Sequence, residues 1–157
     1  MTRLCVLSIV CGVLLSAGVA AQSRPLPSFA LTAADGSTVS SETLPQERPW
    51  LLVIAQQPCR ACDGTLAVLN TIIKTDDAAR VVIVLSGASA LEMAGLSSRY
   101  ANLGTWYRDP VRAVLPALGV GGSPVVVGVR GGTVQWSRNV ASTSPSELDS
   151  LITSWLR

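Results

Sequence analysis

The feature that most constrains the fold of this chain is a pair of cysteines, Cys59 and Cys62, placed where a buried strand gives way to a helix. Residues 50–55 form an unbroken apolar run, which is typical of a strand buried on both faces. From Arg60, apolar residues recur at helical spacing, which predicts a helix ending near residues 74–77. A thiolate on Cys59 would be stabilised at that helix start, and Cys62 lies about one turn away, close enough to form a disulfide. The arrangement indicates a dithiol redox site.

The composition excludes several other kinds of site. With 157 residues the chain suits one domain that can bury its own core. Its formal net charge is +2 and its basic residues are scattered, so nothing points to nucleic acid as a partner. The sequence has no histidine, which removes histidine metal sites and both Ser-His-Asp and Cys-His catalysis. We therefore expect no metal and no cofactor beyond a redox-active Cys59–Cys62 disulfide.

The first 21 residues read as a secretory signal peptide. Arg3 supplies a positive start, residues 4–15 are almost wholly apolar, and small residues lead to a cleavage site after Ala20 or Ala21. This predicts an exported protein, most simply in a bacterial periplasm, with one domain over residues 22–157. The alternative is an uncleaved anchor, because residues 4–21 approach the ~18 apolar residues of a minimal membrane span.

Export and the cysteine count agree with redox chemistry. Without the leader, Cys59 and Cys62 are the only cysteines, and two thiols cannot make a four-cysteine zinc site. An exported protein meets an oxidising compartment, where dithiols cycle or are held as disulfides.

The rest of the chain predicts strands alternating with helices, after a loosely held lead-in. The predicted strands cover residues 29–32, 38–39, 81–85, 105–107, 125–129 and 134–136, the last two forming a hairpin around a turn at 130–133. Asp109 and Pro110 predict the cap and first position of a short helix reaching Leu118, after a longer helix over residues 89–100. Ser144, Pro145 and a capping-box glutamate, Glu147, predict a terminal helix. The order indicates an α/β fold with a mixed central sheet.

These elements resemble the thioredoxin superfamily, and within it the exported TlpA/ResA-like thiol–disulfide oxidoreductases. Four segments carry the resemblance: an N-terminal hairpin at 29–39, the strand and Cys-x-x-Cys at 50–62, a loop at 119–124 like the one bearing the family's cis-proline, and the last hairpin turn at 131–134. The resemblance implies a thioredoxin-like fold, with a mixed sheet flanked by helices and a terminal hairpin followed by a helix. It also implies an enzyme that exchanges disulfides with partner proteins.

Site roles follow from the same resemblance. Cys59 matches the nucleophile that attacks a partner disulfide, and Cys62 matches the thiol that resolves the mixed disulfide. Ser123 and Pro124, with Pro124 against the cysteine pair, match the groups that meet an extended substrate segment. Pro58 joins this substrate-binding set, although many relatives carry an aromatic residue there.

The direction of exchange and several alternatives stay open. The TlpA-like resemblance favours a reductase supplied by a membrane thiol carrier, whereas a positive Arg60 lowering the pKa of Cys59 would favour an oxidant. Arg60 is equally well explained as a solvated side chain at a helix start. The competing functions are a structural disulfide, a thioredoxin-like binding or maturation module with little turnover, and a thiol peroxidase. We rank the peroxidase low because Gln56 stands where peroxiredoxins position a threonine.

Overall fold

The computed structural model describes residues 23–45 and 47–157 of the chain. The strands in these ranges are β1 (Arg24–Pro25), β2 (Ala30–Thr32), β3 (Thr38–Ser40), β4 (Trp50–Gln56), β5 (Val81–Ser86), β6 (Thr105–Asp109), β7 (Val125–Arg130) and β8 (Thr133–Asn139). The α-helices there are α1 (Cys62–Ile72), α2 (Ala90–Arg99), α3 (Val114–Ala117) and α4 (Pro145–Trp155). The leader expected at residues 1–21 lies outside the described residues. Among the helices of the described ranges, none has the length and apolar character needed to cross a membrane.

The strands form one mixed sheet in the order β1-β8-β7-β4-β5-β6-β2-β3. Strands β4, β5 and β6 run parallel, while β7 lies antiparallel on the other side of β4. Parallel strands end at the same edge of a sheet, and here Gln56 is opposite Ser86, which is opposite Asp109. We call the edge that these three residues define the carboxyl edge.

The unbroken apolar character of β4 arises because both of its faces are covered. Leu51, Val53 and Ala55 pack in a core with residues of α1, α2 and α4. Leu52 and Ile54 point the other way, into a second core with α3 and the hairpin of β2 and β3. Each buried aliphatic side chain contributes roughly 1.5–3 kcal/mol by leaving water. Two cores on one strand therefore fix the position of the segment that follows it.

The boundaries of α1 and the start of α3 differ from the sequence prediction. Helix α1 begins at Cys62 rather than Arg60 and ends at Ile72, before a 3₁₀ segment at Thr75–Arg80. Helix α3 begins at Val114, so the predicted start at Pro110 is wrong. The reason is Arg112, whose φ of 58° is left-handed and interrupts a right-handed helix.

The structure corrects the prediction for the lead-in and confirms the prediction for the terminal helix. The lead-in is not loosely held, because β1 pairs with β8 and the Arg24 guanidinium donates a hydrogen bond to the Leu118 carbonyl oxygen. The terminal helix is confirmed, with the Ser144 hydroxyl accepting from the N–H of Glu147. A reciprocal capping box occurs in α2, where the sequence did not predict one.

Candidate functional site

The two cysteines lie just beyond the carboxyl edge, joined by a disulfide with Cα atoms 5.3 Å apart. Cys59 is partly exposed in the short segment between β4 and α1. Cys62 is the first residue of α1 and only 1% exposed, packed in the core that contains Leu66. One sulfur is thus accessible to a second protein and the other is shielded.

Two hydrogen bonds, one local and one to the neighbouring strand, hold the segment that carries Cys59. The N–H of Cys59 donates to the Gln57 side-chain oxygen at 3.1 Å, and the N–H of Gln57 donates to the Ser86 carbonyl at 2.7 Å. Cys59 precedes the first turn of α1. The positive end of that helix favours a thiolate there.

The loop that precedes β7 lies beside the end of β4. The peptide bond before Pro124 is cis, the isomer that the resemblance favoured, and a second cis peptide, which the sequence did not predict, precedes Pro58. Pro124 is buried, and its carbonyl accepts the N–H of Val140 at 2.9 Å. The Ser123 hydroxyl accepts the N–H of Gln56 at 2.7 Å. This bond ties the loop to the end of β4.

Cys59 lies between two open clefts. The first, here the arginine cleft, is lined by Gln56, Gln57, Pro58, Cys59, Arg60, Ala61, Arg112 and Ser123. The second, here the acidic cleft, is lined by Gln57, Cys59, Cys62, Asp63, Glu92, Gly95, Leu96 and Arg99. Their volumes are similar, about 500 and 410 Å³, so they differ in charge rather than in size. The arginine cleft has two cations and no carboxylate in its lining, whereas the acidic cleft has two carboxylates and one cation.

The structure thus brings most of the predicted site residues together. Cys59, Pro58, Arg60 and Ser123 share the arginine cleft, and Pro124, which directly follows Ser123, is buried. Cys62 lies in the floor of the neighbouring cleft. The roles assigned to these residues remain predictions.

Arg112 is a site residue that the sequence analysis missed. Its guanidinium donates a 3.0 Å hydrogen bond to the carbonyl oxygen of Gln57 and lines the same cleft as Cys59. It reaches there across Gly87, where an added Cβ would lie 2.6 Å from the Arg112 Nε. A left-handed backbone at a non-glycine residue costs on the order of 1 kcal/mol and is concentrated at functional sites. Arg112 is the one such residue in the described part of the chain.

The acidic cleft contains a small network that the sequence analysis also missed. Asp63 accepts hydrogen bonds from Arg99 at 2.6 Å and from the Tyr100 hydroxyl at 3.0 Å. Burial, followed by the hydrogen bond to Asp63, raises the pKa of the Tyr100 hydroxyl above its ordinary value. The Asp63–Arg99 pair is more than half exposed and contributes little stability by itself. Its effect is to join the first turn of α1 to the end of α2 beside Cys62.

Solved structures similar to this chain share one fold. A secreted Mycobacterium tuberculosis disulfide oxidoreductase, described as homologous to E. coli DsbE, is 22% identical with a TM-score of 0.64, covering 80% of this chain and 95% of its own. A putative thiol:disulfide interchange protein DsbE from Chlorobium tepidum is 20% identical with a TM-score of 0.69, covering 86% and 97%. The exposed lipoprotein thioredoxin Etrx1 of Streptococcus pneumoniae is 17% identical with a TM-score of 0.60, covering 81% and 98%.

These likenesses confirm the predicted thioredoxin-like α/β fold over most of the described chain. No protein-family model matches the sequence, and no curated protein matches it either.

Proposed function

We propose that this chain is an exported thiol–disulfide oxidoreductase that exchanges disulfides with partner proteins. The observation that carries the proposal is the asymmetry of the Cys59–Cys62 disulfide, in which Cys59 is partly exposed between two clefts and Cys62 is only 1% exposed and packs in the core. A disulfide across so short a loop restrains little of the unfolded chain, so stability is a weak reason for it. The structural neighbours, which are named as disulfide oxidoreductases and thiol:disulfide interchange proteins, support the same reading.

The chemistry follows from which sulfur is accessible. In the reduced protein, the Cys59 thiolate attacks one sulfur of a partner disulfide, and the other partner sulfur leaves as a thiolate. Cys62 then loses its proton and attacks the Cys59 sulfur of the mixed disulfide, which releases the second partner thiol. The partner gains two electrons and two protons, and the protein is left with the Cys59–Cys62 disulfide. Shielding of Cys62 keeps the first attack on Cys59.

We further propose that the protein works as a reductase, with a membrane thiol carrier returning electrons to Cys59 and Cys62. The resemblance to TlpA-like proteins supports this direction, and the exposed cation of Arg60 favours the opposite one because it would stabilise the Cys59 thiolate. Export to a periplasm accords with the expected leader and with neighbours described as secreted or exposed.

The reduction potential tests both proposals at once. Purified protein is equilibrated in glutathione buffers of increasing ratio, free thiols are alkylated, and the Cys59–Cys62 pair is read by mass. A potential near that of thioredoxin, roughly −270 mV, supports a reductase, whereas one near that of DsbA, roughly −120 mV, makes the protein an oxidant. A pair that stays oxidised in every buffer is a structural disulfide, and the enzyme proposal is then wrong.

Single-cysteine variants separate catalysis from binding. Cys62→Ser should accumulate a mixed disulfide between Cys59 and partner proteins, and Cys59→Ser should not, because Cys62 is buried. A double variant, Cys59→Ser with Cys62→Ser, that still complements a deletion strain would instead establish a binding or maturation module.

A further inference from the structure

We propose that the arginine cleft selects partner segments that carry an acidic residue next to the reacting cysteine. The inference rests on the proposed function and adds a substrate class to it. Arg60 and Arg112 are both exposed and both line the cleft in which Cys59 is accessible. An anion bound between them would lie beside the reacting sulfur.

Arg112 is held at this cleft from a different part of the chain. Strand β6 ends at Asp109, on the carboxyl edge, and the left-handed turn at Arg112 sends its side chain over Gly87 towards the Gln57 carbonyl. One hydrogen bond to a neutral carbonyl leaves most of the five guanidinium donors available to another acceptor. A carboxylate is the acceptor that matches this planar fork.

The distribution of charge around Cys59 makes the preference directional. The arginine cleft is lined by two cations, while Asp63 and Glu92 line the acidic cleft on the other side. The acidic cleft also contains Arg99, but its two carboxylates leave the lining net negative, so a partner segment crossing Cys59 meets net positive charge on one side only. An acidic residue is favoured on that side and repelled on the other, so its effect should depend on whether it precedes or follows the partner cysteine.

Two exposed apolar side chains follow strands that end at the same edge. Leu91 and Val111 are 83% and 78% exposed, and they are the large hydrophobic residues so exposed in the described ranges. Val111 is the neighbour of Arg112 after β6, and Leu91 is in the first turn of α2, shortly after β5. Val111 therefore adds an apolar side chain next to the arginine cleft, and Leu91 adds one next to Glu92 of the acidic cleft.

The test compares reaction rates of the reduced protein with three synthetic peptides. Each peptide carries one cysteine activated as a pyridyl disulfide, with aspartate before it, aspartate after it, or asparagine at both positions. Attack by Cys59 forms a Cys59–peptide disulfide and releases pyridinethione, whose absorbance gives the rate of the first step. The asparagine peptide reports the proposed function alone, because its reaction depends on attack by the Cys59 thiolate and not on the charge of the flank.

We expect one aspartate peptide to react roughly fivefold faster than the asparagine peptide, with the advantage shrinking as ionic strength rises. Arg112→Gln and Arg60→Gln should each reduce that ratio, and Arg112→Lys, which keeps the charge but loses the planar fork, should retain only part of it. Arg48→Gln is the matched control, because Arg48 is exposed in the loop before β4, at the opposite edge of the sheet. The ratio is the readout, since a change in Cys59 reactivity alters all three rates together.

Outcomes that overturn the inference are distinct from those that overturn the function. Equal rates for the three peptides would show that the cleft does not select partner segments by charge. The same conclusion would follow if the ratio of aspartate-peptide to asparagine-peptide rates were unchanged in both Arg60→Gln and Arg112→Gln. Failure of the asparagine peptide to react at all would overturn the proposed function instead. If Arg112→Gln does not fold, Arg60→Gln decides the result, because Arg60 is exposed ahead of α1.

Discussion

The backbone N–H of Gln56 donates a 2.7 Å hydrogen bond to the hydroxyl of Ser123. Gln56 is the last residue of β4 and Ser123 precedes the cis-proline, so this bond joins the strand that delivers Cys59 to the loop that faces it. The two residues are 67 positions apart in the chain. The β4–β7 ladder pairs Ile54 with Val125, and this side-chain hydrogen bond extends the same register to the mouth of the arginine cleft.

Ser123→Ala should cost about 1 kcal/mol of unfolding free energy, since Gln56 loses an acceptor but lies where water can partly replace it. We expect a larger relative loss in the rate of peptide exchange, because the loop is no longer held against β4. Urea unfolding and pyridinethione release measure the two effects. Ser123→Thr keeps the hydroxyl and should preserve both, and an Ala variant with wild-type exchange would show that the bond does not position the site.

Asp109→Asn should destabilise the protein by roughly 2–3 kcal/mol, because a buried charged acceptor is lost. Asp109 is 0% exposed, and its carboxylate accepts from the Ser86 hydroxyl and from the N–H groups of Ala113 and Val114. An asparagine has one acceptor oxygen, so its amide nitrogen would face a donor.

The control for this substitution is Asp149→Asn, at an exposed position of α4, which should change stability by no more than about 0.5 kcal/mol. Urea unfolding measures both variants. Equal effects at the buried and the exposed position would contradict the account of Asp109.

Local pattern predicted the elements that position the cysteines. The unbroken apolar run was enough to predict β4, because both faces of that strand are buried. A strand followed by Cys-x-x-Cys and by apolar residues at helical spacing then predicts that the cysteines lie between a strand and a helix. The turn at Gly131 and Gly132 could also be predicted from the sequence. Both residues have positive φ in the structure, a conformation that glycine adopts at low cost.

The same reasoning could not predict that Arg112 lies at the site. Its place at the site depends on β6 lying parallel to β5, on a left-handed turn, and on empty space above Gly87, none of which leaves a periodic signal. The one available clue was that parallel strands end at a common edge, which places any residue just after β6 near Cys59. Asp63 needed no long-range contact to be placed at the site, because it directly follows Cys62 in the chain.

Gly87→Ala and Gly36→Ala form a matched pair that tests how Arg112 is held. Both glycines have positive φ, +76° and +86°, so alanine should cost each roughly 1 kcal/mol of stability. At Gly36 the added Cβ meets nothing within 4 Å, whereas at Gly87 it would lie 2.6 Å from Arg112 Nε and displace that side chain. Only Gly87→Ala should lower the preference for the aspartate peptide. A preference retained in Gly87→Ala would mean that Arg112 reaches the cleft by another path.

The pH dependence of stability should report the capping box of α2. Hydrogen bonds from the backbone N–H and then the hydroxyl of Ser89 hold the pKa of Glu92 below its ordinary value of 4.5. A carboxyl group whose pKa is lowered on folding stabilises the folded state at pH values above its unfolded pKa, and that contribution is lost as the pH falls through the folded pKa.

Glu92→Gln keeps a side-chain oxygen for the Ser89 N–H but removes the titrating group. The unfolding free energy of the wild type should therefore exceed that of Glu92→Gln at pH 7, and the difference should shrink as the pH falls below 4.5. Urea unfolding of the two proteins at a series of pH values measures the difference directly. A difference that is the same at pH 7 and at acid pH would place its origin in packing, and the charge of Glu92 would then have no part in holding the start of α2 beside the acidic cleft.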